Sequence, residues 1–377
     1  MRPDAGAPAS AFSRAAVVHE WLTHPGGSEK VVLELLGLLP DAELFTSVHD
    51  RAQWADALAG RTVHTSFLDR LPGARAHYPK LLPLMNAAFE SFDLDGFDLV
   101  VSSSHSCAKN VLTGPDTLHV CYCHTPMRHA WQPRFLQRED LGPVAGATAR
   151  LMMGRLRRQD AIGALRPDVF VANSSHVAAR IEKYYRRDAR VIHPPVEIEG
   201  HLRRPRSHDD YYLVLGRAVA YKRVDLAVAA CAMLGRRVKV AGTGRGLAAA
   251  RAAAGPDAEF LGWVSDEEMG RLLSGARALL FPGEEDFGIV PVEAQAAGVP
   301  VIAYGTGGVR DSVIEGETGV FHTEQTAASL ASAMLEFEDC TFDESAIRDN
   351  ARRFSPDRFR AEFSELLLEQ RSLMESA

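Results

Sequence analysis

The stretch Ala278–Tyr304, ALLFPGEEDFGIVPVEAQAAGVPVIAY, changes period twice within a short span and places acids at the changes. Leu279 to Phe281 is an apolar run ended by Pro282-Gly283, the pattern of a buried strand that delivers its carboxyl end to a loop. Glu284, Glu285 and Asp286 lie on that loop. Phe287-Gly288-Ile289 leads to Pro291, whose fixed φ suits the first turn of a helix running through Glu293 to Gly298, and Val299 to Tyr304 starts the next strand. Strand, acid-bearing loop and helix start, in that order, form one edge of an open α/β sheet, where ligands bind beyond the carboxyl ends of the strands. Backbone N–H groups and the positive end of a helix dipole favour phosphate there. In the first turn, Glu293 is placed either to accept hydrogen bonds from sugar hydroxyls beside a phosphate or simply to complement the dipole.

The 377 residues exceed one ordinary core and fit two domains. A hydrophobic content of 46% with 24% charged residues is that of a soluble globular protein. The opening MRPDAGAPASAFSR is Ala/Pro-rich without an apolar core, so a disordered tail over 1–13 and a cytoplasmic location are expected. Cys107, Cys121, Cys123, Cys231 and Cys340 form no C-x-x-C pair, which suits reduced thiols. Cys121-x-Cys123-His124 falls in strand-like alternation and Asp93-Leu94-Asp95 in the turn DLDGFD, so neither is read as a metal site. No metal and no cofactor are expected. Residues 1–200 hold 22 Lys+Arg and 22 Asp+Glu, so the net charge of −7 falls on the remainder; neither part is basic enough to suggest nucleic acid.

Further strands are expected at Arg14–Trp21, Glu43–Ser47, Leu99–Ser102, Leu118–Cys123, Val169–Asn173, Tyr211–Leu215 and Val238–Gly242, alternating with helical stretches. Ser28 is a candidate N-cap after the Gly26-Gly27 loop. EIEGHLRRPRSHDD loses periodicity and reads as a linker. The expected organisation is an N-terminal Rossmann-like domain over 14–198, a linker over 199–210, a second Rossmann-like domain over 211–354 and a C-terminal helix over 355–377. Gly142 to Leu165 is an amphipathic basic helix with Arg150, Arg155, Arg157 and Arg158, packed on the sheet or resting on an anionic membrane. Gly242-Thr243-Gly244 lacks the third glycine of a dinucleotide fingerprint, since position 247 is Leu247, which argues against a dehydrogenase.

Glu285 and Glu293 form E-x7-E within EDFGIVPVEAQAAGVPVI, which resembles the donor-site signature of retaining glycosyltransferases of the GT-B fold, family four. Gly216-Arg217-Ala218-Val219-Ala220-Tyr221-Lys222-Arg223-Val224-Asp225 is similar to that family's phosphate-clamping segment, and Phe260 to Val264 to its base-contacting turn. The resemblance implies two Rossmann-like domains facing a cleft, with the C-terminal helix crossing back to the first. It implies that Glu285 contacts the transferred sugar, Glu293 the ribose, and Arg217 with Lys222 the departing diphosphate, while His124 lies by the reacting carbon. Gly26, Gly27, Gly242, Gly244, Val264, Asp286, Phe287, Gly288 and Ile289 are the further donor contacts so implied, and Arg128 an acceptor contact. Asp311 stands where the family usually has glutamate.

The implied reaction is metal-independent transfer of a sugar from a nucleoside-diphosphate sugar to a glycan, lipid-linked glycan or small-molecule hydroxyl, with retained configuration. HEWLTHPGGSEKV with CYCHTPMRHAW looks closest to bacterial mannosyl- and rhamnosyl-type transferases of polysaccharide assembly, so GDP-mannose is the first expected donor and a UDP- or other sugar nucleotide the alternative. Two other classes compete: a glycosidase using paired acids, and a non-catalytic sugar-nucleotide binding module needing neither Glu285 nor His124.

Overall fold

The computed structural model describes residues 8–132 and 143–376. The chain divides into two units, Met1–Pro195 with Asp357–Ala377, and Val196–Pro356.

The first unit is built on a seven-stranded parallel sheet of β1 (Ala15–His19), β2 (Glu43–Thr46), β3 (Val63–Thr65), β4 (Leu99–Ser104), β5 (Leu118–Cys123), β6 (Val169–Ala172) and β7 (Arg190–Val191). Their spatial order is β3-β2-β1-β4-β5-β6-β7. Every residue of β4 and β5 is buried, as expected of central parallel strands covered on both faces. Val17, Leu35, Tyr122 and Val171 form the core of one face, and Ala16, Val18, Phe89 and Val100 that of the other. The C-terminal helix Pro356–Glu375 belongs to this unit: Phe359, Phe363, Leu366 and Leu367 enter the first of these cores.

The second unit repeats the plan with β8 (Tyr212–Leu215), β9 (Val238–Ala241), β10 (Ala258–Gly262), β11 (Leu279–Phe281), β12 (Val301–Tyr304) and β13 (Gly319–His322), in parallel order β10-β9-β8-β11-β12-β13. In each sheet the order reverses at one place, between β1 and β4 and between β8 and β11. Those are the topological switch points, where loops on neighbouring strands diverge and leave a crevice at the carboxyl edge.

Several expectations need correction. Pro8–Ala11 is helical and Phe12 is 7% exposed in the first core, so the part of the tail beyond residues 1–7, which lie outside the described residues, is folded; its aromatic ring finds an apolar seat. The linker run contains the helix Glu199–Leu202, and Arg206 donates to the carbonyls of Gly298 and Ala276, so it is bound into the second unit. Ser28 does not cap: the helix Gly27–Leu38 starts before it, with Gly26 at the cap. The helix Asp266–Gly275 is capped by Ser265, whose hydroxyl accepts from the Glu268 N–H at 3.3 Å. Asp93 accepts from the Asp95 N–H at 3.1 Å, as turn chemistry requires.

In the basic helix Pro143–Gly163, Arg157 turns inward to donate to the Ala130 carbonyl at 2.7 Å and Arg155 and Arg158 are exposed; the Arg150 side chain lies outside the described residues. Cys107, Cys121, Cys123 and Cys231 are buried thiols and Cys340 is exposed. No helix among the described residues is long and apolar enough to cross a membrane.

Candidate active site

At the switch point of the second unit, β8 hands the chain to Gly216 and Arg217, and β11 hands it to the acidic loop. The short turn Ala220–Lys222 lifts Lys222 back towards that loop, where its Nζ lies 2.9 Å from Glu285 Oε1. Burial alone would lower the ammonium's pKa, but the Glu285 carboxylate outweighs it and the net direction is upward, so Lys222 stays charged. Arg217 is exposed at the same edge. Together with Val214, Leu280, Phe281, Pro282 and Gly283, these three side chains line one hollow.

Backbone packing holds the loops at this edge. A Cβ on Gly242, whose φ is +142°, would lie 1.9 Å from the Gly216 carbonyl oxygen, and one on Gly308 would lie 2.1 Å from that of Asp286. Only glycine permits such approaches. The Gly308 N–H also donates to the Glu285 carbonyl at 2.9 Å, tying the Gly305–Asp311 loop to the acidic one.

Glu293 departs from the sequence reading. The helix Ile289–Ala296 begins two residues before Pro291, because Gly288 takes φ +90° at its cap and turns the chain early. Pro291 is thus the third helical residue, where its missing N–H has no helical partner to lose, and Glu293 sits in the second turn at 7% exposure. A carboxylate buried to this degree is not a surface complement to the dipole. Phe287 is 3% exposed with its ring 5.5 Å from that of Phe354, so its side chain belongs to the core and it has only backbone to offer a ligand. Asp286, Ile289 and Val264 are half-buried near their expected edge, and Gly244 follows β9 with Gly242.

The first unit carries its own polar cluster at its switch point, and most of it lies outside the residues singled out from sequence. His124 follows β5, half-buried, with its N–H on the Ser104 carbonyl at 2.8 Å and its carbonyl accepting from Asn173 at 3.0 Å. Its Nε2 is 2.8 Å from Ser103 Oγ. Burial first, then the neighbouring His105 and His19, hold its pKa well below the usual imidazole value, so the ring is neutral. Arg128 opens the short helix Arg128–Trp131 just beyond. Gly26 caps the helix Gly27–Leu38 against Glu29, whose Oε2 would lie 2.8 Å from a Cβ at that position; Gly27 is the first helical residue.

Glu20, fully buried after β1, accepts the N–H groups of His105, Ser106, Cys107 and Ala108 and the Ser104 hydroxyl at 2.7–3.1 Å. Burial would raise its pKa, yet His105 and the backbone donors outweigh that and hold it low. Glu20 therefore fixes the end of β4, which carries Ser103, and the loop after it, which carries His105, beside His124. The sequence signal was present, an acid directly after the apolar run AAVVH, but its partners lie more than 80 residues on.

Comparison with known proteins bears on the family and the fold. Residues 203–354 match the family model described as glycosyl transferases group 1, and residues 25–199 match glycosyltransferase family 4. Glycogen synthase of Mycobacterium tuberculosis is 33% identical over 169 residues, covering 40% of this chain and 38% of that protein. D-inositol 3-phosphate glycosyltransferase of Streptomyces avermitilis is 29% identical over 206 residues, covering 46% and 44%. The matched stretch thus spans less than half of either relative. Among solved structures, sucrose-phosphate synthase of Thermosynechococcus elongatus superposes with a TM-score of 0.69 at 18% identity, covering 97% of this chain and all of that one. Anabaena HepE in complex with UDP and glucose gives 0.66 at 16% identity, covering 93% and 98%.

Proposed function

Since this chain belongs to the group 1 glycosyltransferases of the GT-B fold, we propose that it moves a hexose from a nucleoside-diphosphate sugar to an acceptor hydroxyl with retained configuration and without a metal. The observation that carries this reading is the pairing of Lys222 with Glu285 at the switch point of the second unit, beside Arg217. A diphosphate leaving group needs cations at one end of the breaking bond, and the sugar ring needs an oriented acceptor of its hydroxyls at the other. Arg217 and Lys222 serve the first need and Glu285 the second, while the buried Glu293 suits the ribose hydroxyls.

The bond from the anomeric carbon to the diphosphate oxygen breaks as the acceptor oxygen bonds to the same face of that carbon. The acceptor's proton passes to the departing phosphate oxygen, so no side chain becomes covalently attached. His124, a neutral imidazole, is assigned to the transfer step on the family resemblance. GDP-mannose is the proposed donor, and the acceptor a glycan, lipid-linked glycan or small molecule. Exposed Arg155 and Arg158 are proposed to permit peripheral contact with an anionic membrane; co-sedimentation with anionic vesicles at low salt, lost as salt rises, tests this.

The deciding experiment incubates the full chain with GDP- and UDP-sugars and an acceptor panel and measures released nucleoside diphosphate and the anomeric configuration of the product. GDP-mannose turnover that persists in a chelator is the expected result. Turnover of a UDP-sugar alone replaces the donor. Inverted product or a glycosyl-enzyme adduct in intact mass overturns the mechanism.

A further inference from the structure

Glu29 reaches back from the first turn of the helix Gly27–Leu38 to place Oε1 3.3 Å from His19 Nε2, where His19 is fully buried at the end of β1. Oε2 of the same carboxylate accepts from the Ser28 hydroxyl at 2.9 Å. On the far side of the imidazole, His19 Nδ1 lies 3.2 Å from the carbonyl oxygen of Ser103 and 3.1 Å from its hydroxyl. That hydroxyl is 2.8 Å from His124 Nε2. Four residues from three strand ends and one helix therefore form a continuous chain, Glu29, His19, Ser103, His124.

The polarity of this chain follows from what its ends can do. An ionised carboxylate only accepts, and so does a carbonyl oxygen. His19 is held between the two, so each of its nitrogens faces an acceptor, and a ring carrying a hydrogen on both satisfies the carboxylate and the carbonyl together. Burial would raise the Glu29 pKa, but His19 and the Ser28 hydroxyl bring it down to about 2, so the carboxylate is ionised and supplies the counter-charge that a buried imidazolium needs. The neighbouring His105 and His124 are both pushed towards the neutral form, by burial first. With its Nδ1–H directed at both Ser103 oxygens, the hydroxyl proton is free to point onward to His124 Nε2. His124 must then accept at Nε2 and carry its own hydrogen on Nδ1.

We propose that Glu29 and His19 form a buried carboxylate–imidazolium pair that, through the Ser103 hydroxyl, locks His124 in its Nδ1–H tautomer, making Glu29, His19 and Ser103 positioning residues for the sugar transfer. The link to transfer rests on the glycosyltransferase reading above; the hydrogen-bond chain does not. A tautomer held by a carboxylate two groups away gives His124 one fixed donor and no freedom to exchange roles, which preorganises the only imidazole of the cluster that follows β5.

The test is nitrogen-15 NMR of the full chain labelled at histidine, with assignments from single His→Gln variants. At neutral pH His19 should show both nitrogens protonated and His124 a bare Nε2. In Glu29→Gln, which keeps shape and removes charge, His19 should lose one proton. In Ser103→Ala the His124 signal should move to a mixture of tautomers. With a donor that the natural chain turns over, both variants should lose about tenfold in kcat with donor affinity unchanged. A singly protonated His19 or a protonated His124 Nε2 in the natural chain overturns the proposal, as does an unchanged kcat in Ser103→Ala. If no donor turns over at all, the glycosyl-transfer reading fails, and the NMR result still decides the hydrogen-bond chain.

Discussion

On the proposed reading Lys222 attracts a diphosphate and Glu285 repels it, and their 2.9 Å contact makes each variant informative about the other. Removing the carboxylate frees a half-buried ammonium, so Glu285→Gln should slow turnover by a hundredfold or more while nucleoside diphosphate binds no more weakly than before. Arg217→Ala should instead cost about 2 kcal/mol of nucleotide binding, the size of a charge-assisted hydrogen bond. Calorimetry reads both, and loss of nucleotide affinity in Glu285→Gln would reverse the assigned roles. Glu29 carries a prediction about pH. Its folded pKa of about 2 lies below the ordinary 4.5, so its contribution to stability is complete above about pH 4.5 and vanishes as pH falls towards 2. The depression corresponds to at most about 3 kcal/mol. Urea midpoints of the natural chain and Glu29→Gln should therefore differ most near neutrality and converge in acid; a constant gap would mean that Glu29 stabilises through shape and not charge.

Strand ends and loops set what could be read in advance. Long apolar runs such as LHVCYC and ALLF declared their strands because central parallel strands are apolar on both faces, and the acidic loop was legible because glycine, proline and acids crowd one stretch. Val63–Thr65, Arg190–Val191 and Gly319–His322 were not, since short edge strands carry too few residues to show a period. Nor was the early start of the helix at Ile289, which depends on a positive φ at Gly288 that local sequence permits without requiring. The polar cluster of the first unit was hidden for a different reason. Glu20 is buried only because the loop after β4 returns to wrap it, and no local pattern announces a partner so far along the chain. That nest gives a sharp expectation. Glu20→Gln replaces a carboxylate that accepts five hydrogen bonds with a group whose NH₂ must face donors, at a cost of roughly 3 kcal/mol or more. The denaturation midpoint of the first unit should fall accordingly, and a change within experimental error would show that the loop holds itself without the acid.

Each unit has its own cores, yet the chain is not divided at one point, and this makes the C-terminal helix the test of what each unit needs. Arg217, Lys222, Glu285 and Glu293 all lie within Val196–Pro356, which has a complete six-stranded sheet and apolar clusters of its own. A fragment of those residues should fold cooperatively and, on the proposed reading, bind nucleoside diphosphate while transferring no sugar, since the proposed role of His124 would be missing from it. Residues 8–195 contain all seven strands of the other sheet, but Phe359, Phe363, Leu366 and Leu367 fill its core from the helix Pro356–Glu375. Removing four large buried side chains at roughly 2–4 kcal/mol each takes away about as much as a domain's whole net stability. That fragment should therefore be molten or unfolded by near-ultraviolet circular dichroism, and adding a peptide of residues 356–377 should restore its fixed tertiary signal. Cooperative unfolding of 8–195 alone, at the midpoint it has in the full chain, would show that the helix merely covers a core already complete. Failure of 196–356 to bind nucleotide would place part of the donor site on residues of the first unit.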